Sequence, residues 1–304
     1  MSPIPFELLP PVPAVDLVCR LKAIPLFRFA SVDELFRVAT ISRQVRYAAH
    51  APVQERGGPA EYIQVLVQGT FRVDVGSEGA SELMTPPAML GVQEVLKGTA
   101  LLSSASAETD SIALVMPAEE FRALLAANIE LSQGLFRMLL ESRNGDAGIE
   151  PAARPGAPLR YDARAAPLSN VEKVLYLQMV PILSHATAEE LYEVAAIARE
   201  IPLADQEVPF SAGAPAWIGF VLSGAIELTN ADGASRRVDA GRSFGVRETL
   251  AGASFLETAR VVAPGKALQI DREPLFDLLS DRMDLLQGVF SAVFHRKGGD
   301  LAID

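Results

Sequence analysis

Apolar residues recur at two spacings along this chain, and the spacing divides it into blocks. Leu131, Leu135, Met138 and Leu139 fall three or four apart, as do Leu285, Val289, Ala292 and Val293. This predicts helices over 131–142 and 285–296, with shorter ones before them over 118–126 and 273–279. Ser31-Val32-Asp33-Glu34 precedes Leu35, Phe36 and Val38, and Thr187-Ala188-Glu189-Glu190 precedes Leu191, Val194 and Ile197. Each is a capping box that starts a helix, and a further short helix is expected over 15–21, ending near Pro25. Between these helical blocks the pattern shortens to β-branched and aromatic runs punctuated by Gly and Pro. Strands are expected over 44–47, 61–67, 70–75 and 111–116, then over 198–201, 207–210, 217–222, 225–229 and 267–270. Asn230-Ala231-Asp232-Gly233 and Gly76-Ser77-Glu78-Gly79 read as hairpin turns.

The blocks recur about 155 residues apart, so the chain is one domain duplicated rather than a short-period solenoid. Ile24-Pro25-Leu26-Phe27 returns as Val180-Pro181-Ile182-Leu183, and Gln68-Gly69 returns as Ser223-Gly224. Gly91-Val92-Gln93-Glu94-Val95-Leu96-Lys97-Gly98 returns as Gly245-Val246-Arg247-Glu248-Thr249-Leu250-Ala251-Gly252. Gln133-Gly134-Leu135-Phe136 returns as Gln287-Gly288-Val289-Phe290. The expected organisation is a Pro-rich arm (1–14), a first domain (15–143), a linker rich in Gly, Ala, Pro and Arg (144–168), a second domain (169–297) and a tail (298–304). Pro3, Pro5, Pro10, Pro11 and Pro13 predict that the arm is extended.

The 304 residues suffice for two domains of ordinary size, and 49% apolar with 21% charged residues is the composition of a folded globular chain. No apolar run approaches the roughly 18–20 residues of a membrane span, and the first residues lack a secretory pattern. The single cysteine, Cys19, fits a reducing compartment, where its expected role is packing within a short helix; a cytoplasmic location follows. High alanine content suggests a bacterial chain. A net charge of −11 argues against nucleic acid as a partner, and the basic cluster Arg154, Arg160 and Arg164 reads as a solvated linker. The three histidines, His50, His185 and His295, lack metal-ligand spacing, and no nucleophile elbow, P-loop or dinucleotide fingerprint occurs. Asp33-Glu34 and Glu189-Glu190 are first-turn helix acids rather than catalytic pairs. No catalytic constellation, metal site or cofactor is expected.

A helical hairpin, a strand-rich roll broken by a Gly-containing cassette and one or two closing helices, in that order twice, resembles the cyclic-nucleotide-binding domain. The residues carrying the resemblance are the Ile-Pro-Leu-Phe opening, Val67-Gln68-Gly69 with Leu222-Ser223-Gly224, and Leu90-Gly91 with Phe244-Gly245. Gly98, Gly252, Ser104-Ala105-Ser106-Ala107, Thr258-Ala259 and Met116-Pro117-Ala118-Glu119 complete them. The resemblance implies an α+β, mainly β fold: two tandem β-roll (jelly-roll-like, double-stranded β-helix) domains, each flanked by N- and C-terminal helices.

In ligand-binding members of that family a cassette glutamate accepts from the ribose hydroxyl, and an arginine about ten residues on neutralises the phosphate. The glutamate position here holds Val92 and Val246, and the arginine position falls near Ser103, beside Ser104, and near Glu257, beside Thr258. No arginine occurs from Val73 to Pro117; Arg247 comes too early in the second cassette and Arg260 belongs to the following strand. Losing a charge-assisted bond to a buried phosphate costs about 2–5 kcal/mol, roughly 30- to 5,000-fold in affinity. Glu94 and Glu248 survive in both cassettes, either as relocated polar anchors or as acids at the start of a short helix. Gln93 and Arg247 are expected to face solvent.

The expected function is a non-catalytic regulatory or scaffolding protein whose two cyclic-nucleotide-binding-like domains have lost or weakened canonical nucleotide binding and whose partner is another protein, a second copy of the chain being a further candidate. Neither nucleic acid nor membrane is expected. The alternative is a sensor of cAMP or cGMP with a rebuilt cassette. Gly134 and Gly288 would let another backbone approach the closing helices.

Overall fold

A computed structural model describes residues 6–74, 81–141 and 167–294, the side chain of residue 141 excepted. The expected turn at Gly76–Gly79, most of the linker with its three arginines, His295 and the tail lie outside them. The described residues separate into two compact units, the first closing at Ser132 and the second opening at Gln133.

In the first unit β1 (Glu7–Leu8) precedes a helical hairpin, α1 (Ala14–Lys22) and α2 (Val32–Ile41), with a short 3-10 turn at Pro25–Phe27. The Ser31 hydroxyl accepts from the Glu34 N–H (3.3 Å), and the Glu34 carboxylate accepts from the Ser31 N–H, which is the expected capping box. Strands β2 (Arg43–Tyr47), β3 (Pro52–Gln54), β4 (Tyr62–Gln68), β5 (Phe71–Asp74), β6 (Ser81–Met84) and β7 (Ala88–Leu90) lead to the short helix α3 (Val92–Lys97). Strands β8 (Ser104–Ala107) and β9 (Ser111–Pro117) and helix α4 (Ala118–Ala126) follow, then α5 (Ile129–Glu141), in which the division between units falls. Two antiparallel sheets, ordered β1-β2-β9-β4-β7 and β3-β8-β5-β6, face each other over an apolar interior that includes Val45, Tyr47, Leu66, Phe71, Ala105 and Val115.

The second unit repeats the plan with α6 (Asn170–Leu177), a 3-10 turn at Pro181–Leu183, α7 (Ala188–Ile197) and β10 (Arg199–Leu203). The Thr187–Glu190 capping box forms as expected (2.6 and 3.3 Å), and Ser169–Glu172 makes another ahead of α6. The expected strands over 217–222 and 225–229 are one long strand, β11 (Ile218–Thr229). It pairs with β12 (Ser235–Asp239) across the Asn230–Gly233 turn, with β13 (Ser243–Phe244), and with β14 (Thr258–Ile270). Bulges between Val221 and Ile226 bend β11, so one strand serves both walls of the roll where the first unit uses β4 and β5. No strand forms over 207–210: Pro209 cannot donate, and the Glu207 and Phe210 carbonyls accept from the Val261 and Ala259 N–H groups (2.8 and 3.0 Å) while the Glu207 N–H turns back to the Ala204 carbonyl (3.1 Å). Helix α8 (Val246–Leu250) precedes β14, and α9 (Arg272–Asp281) and α10 (Met283–Phe294) close the unit.

Two expectations about packing change. Cys19 does not pack in the hairpin; it lies exposed on α1, whose buried face is Leu17, Val18 and Leu21. The nearest atoms to a Cβ built on Gly288 belong to His185, at 3.5 Å, so this glycine meets a loop rather than another helix. The helix contact is made two residues on, where Phe136 of α5 stacks on Phe290 (centroids 4.3 Å, 17°) and meets Phe276 edge-on (6.3 Å).

Candidate functional site

Both cassettes begin on a glycine with positive φ, Gly91 (77°) before α3 and Gly245 (70°) before α8. In each a side chain would run into the carbonyl of a neighbouring strand, Tyr62 or Trp217, so only glycine fits the turn. The helices end alike: the Thr99 N–H bonds the Glu94 carbonyl (3.0 Å) and the Ala253 N–H bonds the Glu248 carbonyl (2.8 Å). Val92 and Val246, at the expected glutamate positions, are buried at 4% exposure and add apolar packing rather than a hydrogen-bond acceptor.

In the first cassette Glu94 is buried, and its carboxylate accepts from the Leu102 N–H (3.4 Å), fastening the loop that follows α3. Ser103 is tied from below: Gln54 Nε2 donates to its carbonyl (3.1 Å) and its hydroxyl (3.0 Å). The Ser104 hydroxyl accepts from the Arg56 N–H (3.0 Å). Deeper in the roll the Tyr47 hydroxyl donates to Gln64 Oε1 (2.6 Å), and Gln64 Nε2 donates to the Val53 carbonyl (3.2 Å). Burial, with Tyr62 nearby, pushes the Tyr47 hydroxyl well above the ordinary phenol value, so it stays a donor. The first roll therefore keeps buried amide and hydroxyl groups but brings no cation to the Ser103 position through them.

The second cassette is built differently. Aligned through the repeat, Gln54 becomes Phe210, Gln64 becomes Gly219, Tyr62 becomes Trp217, and Leu90 and Leu101 become Phe244 and Phe255. Phe210 stacks on Phe255 (centroids 3.6 Å) and Phe244 (5.6 Å), while Trp217 meets Phe210, Phe244 and Phe255 edge-on at 5.1–5.7 Å. The missing side chain at Gly219 makes room for the Phe244 ring, which a Cβ there would enter. Four aromatic rings thus occupy the interior where the first roll holds its polar network.

Charge in the second cassette is internally paired. Glu257, at the expected arginine position, receives both arms of Arg236 from β12 (3.0 and 2.8 Å). Thr258 Oγ1 accepts from the Ala212 N–H (3.0 Å). Burial raises the Glu248 carboxyl above its ordinary value; its own N–H opposes the rise, Glu257 adds to it, and Arg236 and Arg247 lower it. Arg260 lies in β14 opposite Glu227, exposed.

Gln93 and Arg247 do not face solvent; both are half-buried. Arg247 Nη2 donates to the Leu140 carbonyl near the end of α5 (3.0 Å), and Arg137 of α5 donates through Nε and Nη2 to the Ala251 carbonyl at the end of α8 (3.1 and 2.9 Å). Each arginine thus caps the carbonyl end of the other's helix, where positive charge is favoured. Gln133 lies against Gly252 at the same place. The sequence places Arg247 in the cassette but carries no local signal of a helix more than a hundred residues away. Tyr47, Gln54, Gln64, Arg137 and Arg236 carry no local signal of a site either; the repeat alignment, Gln against Phe and Gly, hints at the difference between the rolls.

Among the described residues no three His, Cys, Asp or Glu side chains form a group that could hold a metal, and no helix is long and apolar enough to cross a membrane. A family model described as the cyclic nucleotide-binding domain matches residues 44–128 and 200–282. Among solved structures, the regulatory domain of Toxoplasma gondii PKA with cAMP is similar at 15% identity, over 90% of this chain and 94% of that one, with a TM-score of 0.37. The regulatory subunit of a cAMP-independent protein kinase A from Trypanosoma cruzi bound to guanosine is similar at 16% identity, over 88% and 85%, also at 0.37. A cyclic nucleotide-binding-like protein from Brucella abortus is similar at 20% identity, over 36% of this chain and 97% of that one, at 0.33. No curated protein matches.

Proposed function

The chain belongs to the cyclic nucleotide-binding domain family, with one copy in each half, and from that premise we propose that it is a non-catalytic regulatory protein acting on a protein partner, with cyclic-nucleotide binding lost. The observation that carries this reading is the filled second roll. Phe210, Phe244 and Phe255 are buried in it and pack with Trp217, at the repeat positions where the first roll holds Gln54, Leu90, Leu101 and Tyr62. The cations near Glu248 are already committed, Arg236 to Glu257 and Arg247 to the Leu140 carbonyl. A phosphate there would have to compete with Glu257 for Arg236 and with the Leu140 carbonyl for Arg247, and both costs oppose the ligand.

The first roll supports the second reading, a nucleotide sensor with a rebuilt site. Its buried Gln54, Gln64 and Tyr47 could hydrogen-bond a polar ligand if their present bonds to one another and to the backbone were exchanged. Ser103 and Ser104 offer hydroxyls but no charge, which favours the first reading for an anionic ligand.

Isothermal titration of the whole chain with cAMP and with cGMP at near-physiological salt separates the two. The expected result is no saturable heat up to about 1 mM, which sets affinity weaker than about −4 kcal/mol. Stoichiometric micromolar binding would overturn the proposal, and its abolition by Gln54→Leu would assign the ligand to the first roll.

A further inference from the structure

The strand β1 is two residues long and both residues are exposed. It adds to the outer edge of β2, with Glu7 opposite Arg46 and Leu8 opposite Val45, and the Leu9 N–H bonds the Gln44 carbonyl (2.9 Å). Just ahead of it Phe6 enters between two tyrosines, edge-on to both Tyr47 (73°) and Tyr62 (90°), each centroid 6.1 Å away. These are the rings that line the polar first roll. Three of the four residues from Leu9 to the start of α1 are proline (Pro10, Pro11 and Pro13), which holds this connection extended.

The arm is therefore fastened by a few main-chain bonds and one ring. Main-chain bonds to a sheet edge can be made by any extended segment, and specificity then comes from the side chains that enter pockets. Here the pocket is the slot between Tyr47 and Tyr62, and the resident segment shows what fits it, the aromatic ring of Phe6; Glu7 and Leu8 are exposed, and Arg46 opposite Glu7 is paired with Asp110 (3.0 Å). We propose that the edge of β2 and the Tyr47–Tyr62 slot form a peptide-docking site, held in cis by the chain's own arm, which an extended partner segment carrying an aromatic residue displaces. The slot shares Tyr47 with the polar network of the first roll.

The test uses a fluorescent peptide with the sequence of residues 3–12 and the full chain as wild type and as Phe6→Ala. With its own ring removed, the Phe6→Ala chain is expected to bind the peptide about tenfold tighter than wild type, the worth of two edge-on aromatic contacts. A peptide with alanine in place of the phenylalanine should bind neither. A folded Phe6→Ala chain that ignores the peptide, or that does not discriminate between the two peptides, overturns the proposal. Concentration-dependent dimerisation of wild type that is lost in Phe6→Ala would assign the slot to a second copy and overturn the partner reading. Should Phe6→Ala not fold, hydrogen exchange on wild type decides: the Leu9 amide should exchange about a hundredfold faster than the amides joining β2 to β9, and equal protection would show an arm that never lets go.

Discussion

A Cβ at position 219 would enter the Phe244 ring, so the aromatic filling of the second roll depends on one absent side chain. Gly219→Ala should force the ring aside and destabilise the second unit by about 1–3 kcal/mol, the usual cost of overpacking. Phe255→Ala should cost about 3–5 kcal/mol through the cavity it leaves. Urea denaturation followed by Trp217 fluorescence reads both, and unchanged midpoints would mean that the rings are not packed as described. Glu248 gives a second prediction. Its carboxyl is raised, chiefly by burial, so the folded chain keeps a proton that the unfolded chain releases. That contribution is fully present below the unfolded value of 4.5 and is lost as pH rises through the folded value. Glu248→Gln, which stays neutral, should therefore match wild type near pH 4 and become the more stable of the two as pH rises to about 7. A stability difference that does not vary with pH would reject this.

At the scale of elements, helix starts and the cassette turns were legible in the sequence because their determinants are local. Ser31 with Glu34 and Thr187 with Glu190 each lie within four residues, and both boxes form. Thr187→Ala should lower the melting stability of the second unit by about 1 kcal/mol. The strand expected over 207–210 does not form because its apolar content comes with Pro209, which lacks the N–H a ladder needs. The arginines failed for another reason: their partners are remote in sequence. Arg247 reads as a surface residue until α5 is laid beside α8, and Arg236 has no link to Glu257 until β12 folds back. Of the candidate site, the missing cassette glutamates were visible, whereas the aromatic filling emerges only when residues from four segments meet. The paired helix caps predict that Arg137→Ala destabilises the second unit by about 1–3 kcal/mol, the worth of hydrogen bonds from a charged group. If the second unit melts unchanged, α5 is not part of its stable core.

On the scale of the whole molecule, duplication has produced two rolls with one backbone plan and different interiors, the first with a buried polar network and the second with packed rings. A ligand that binds only the folded state raises its stability by RT ln(1 + [L]/Kd), so thermal melting of the intact chain samples both rolls together. If neither roll binds cAMP or cGMP better than about 1 mM, then 1 mM nucleotide adds less than about 0.4 kcal/mol per roll, near the limit of a melting shift. The expected outcome is no shift in any transition with either nucleotide. A shift confined to one transition would still be informative, because the rolls differ in what they could accept. Stabilisation that survives Gln54→Leu but disappears in Arg236→Ala would place the nucleotide in the second roll, and this is the result that the stacked rings and the Arg236–Glu257 pair most directly oppose. Stabilisation with the reverse sensitivity would place it in the first, among the hydrogen-bonding groups of Gln54 and Ser103.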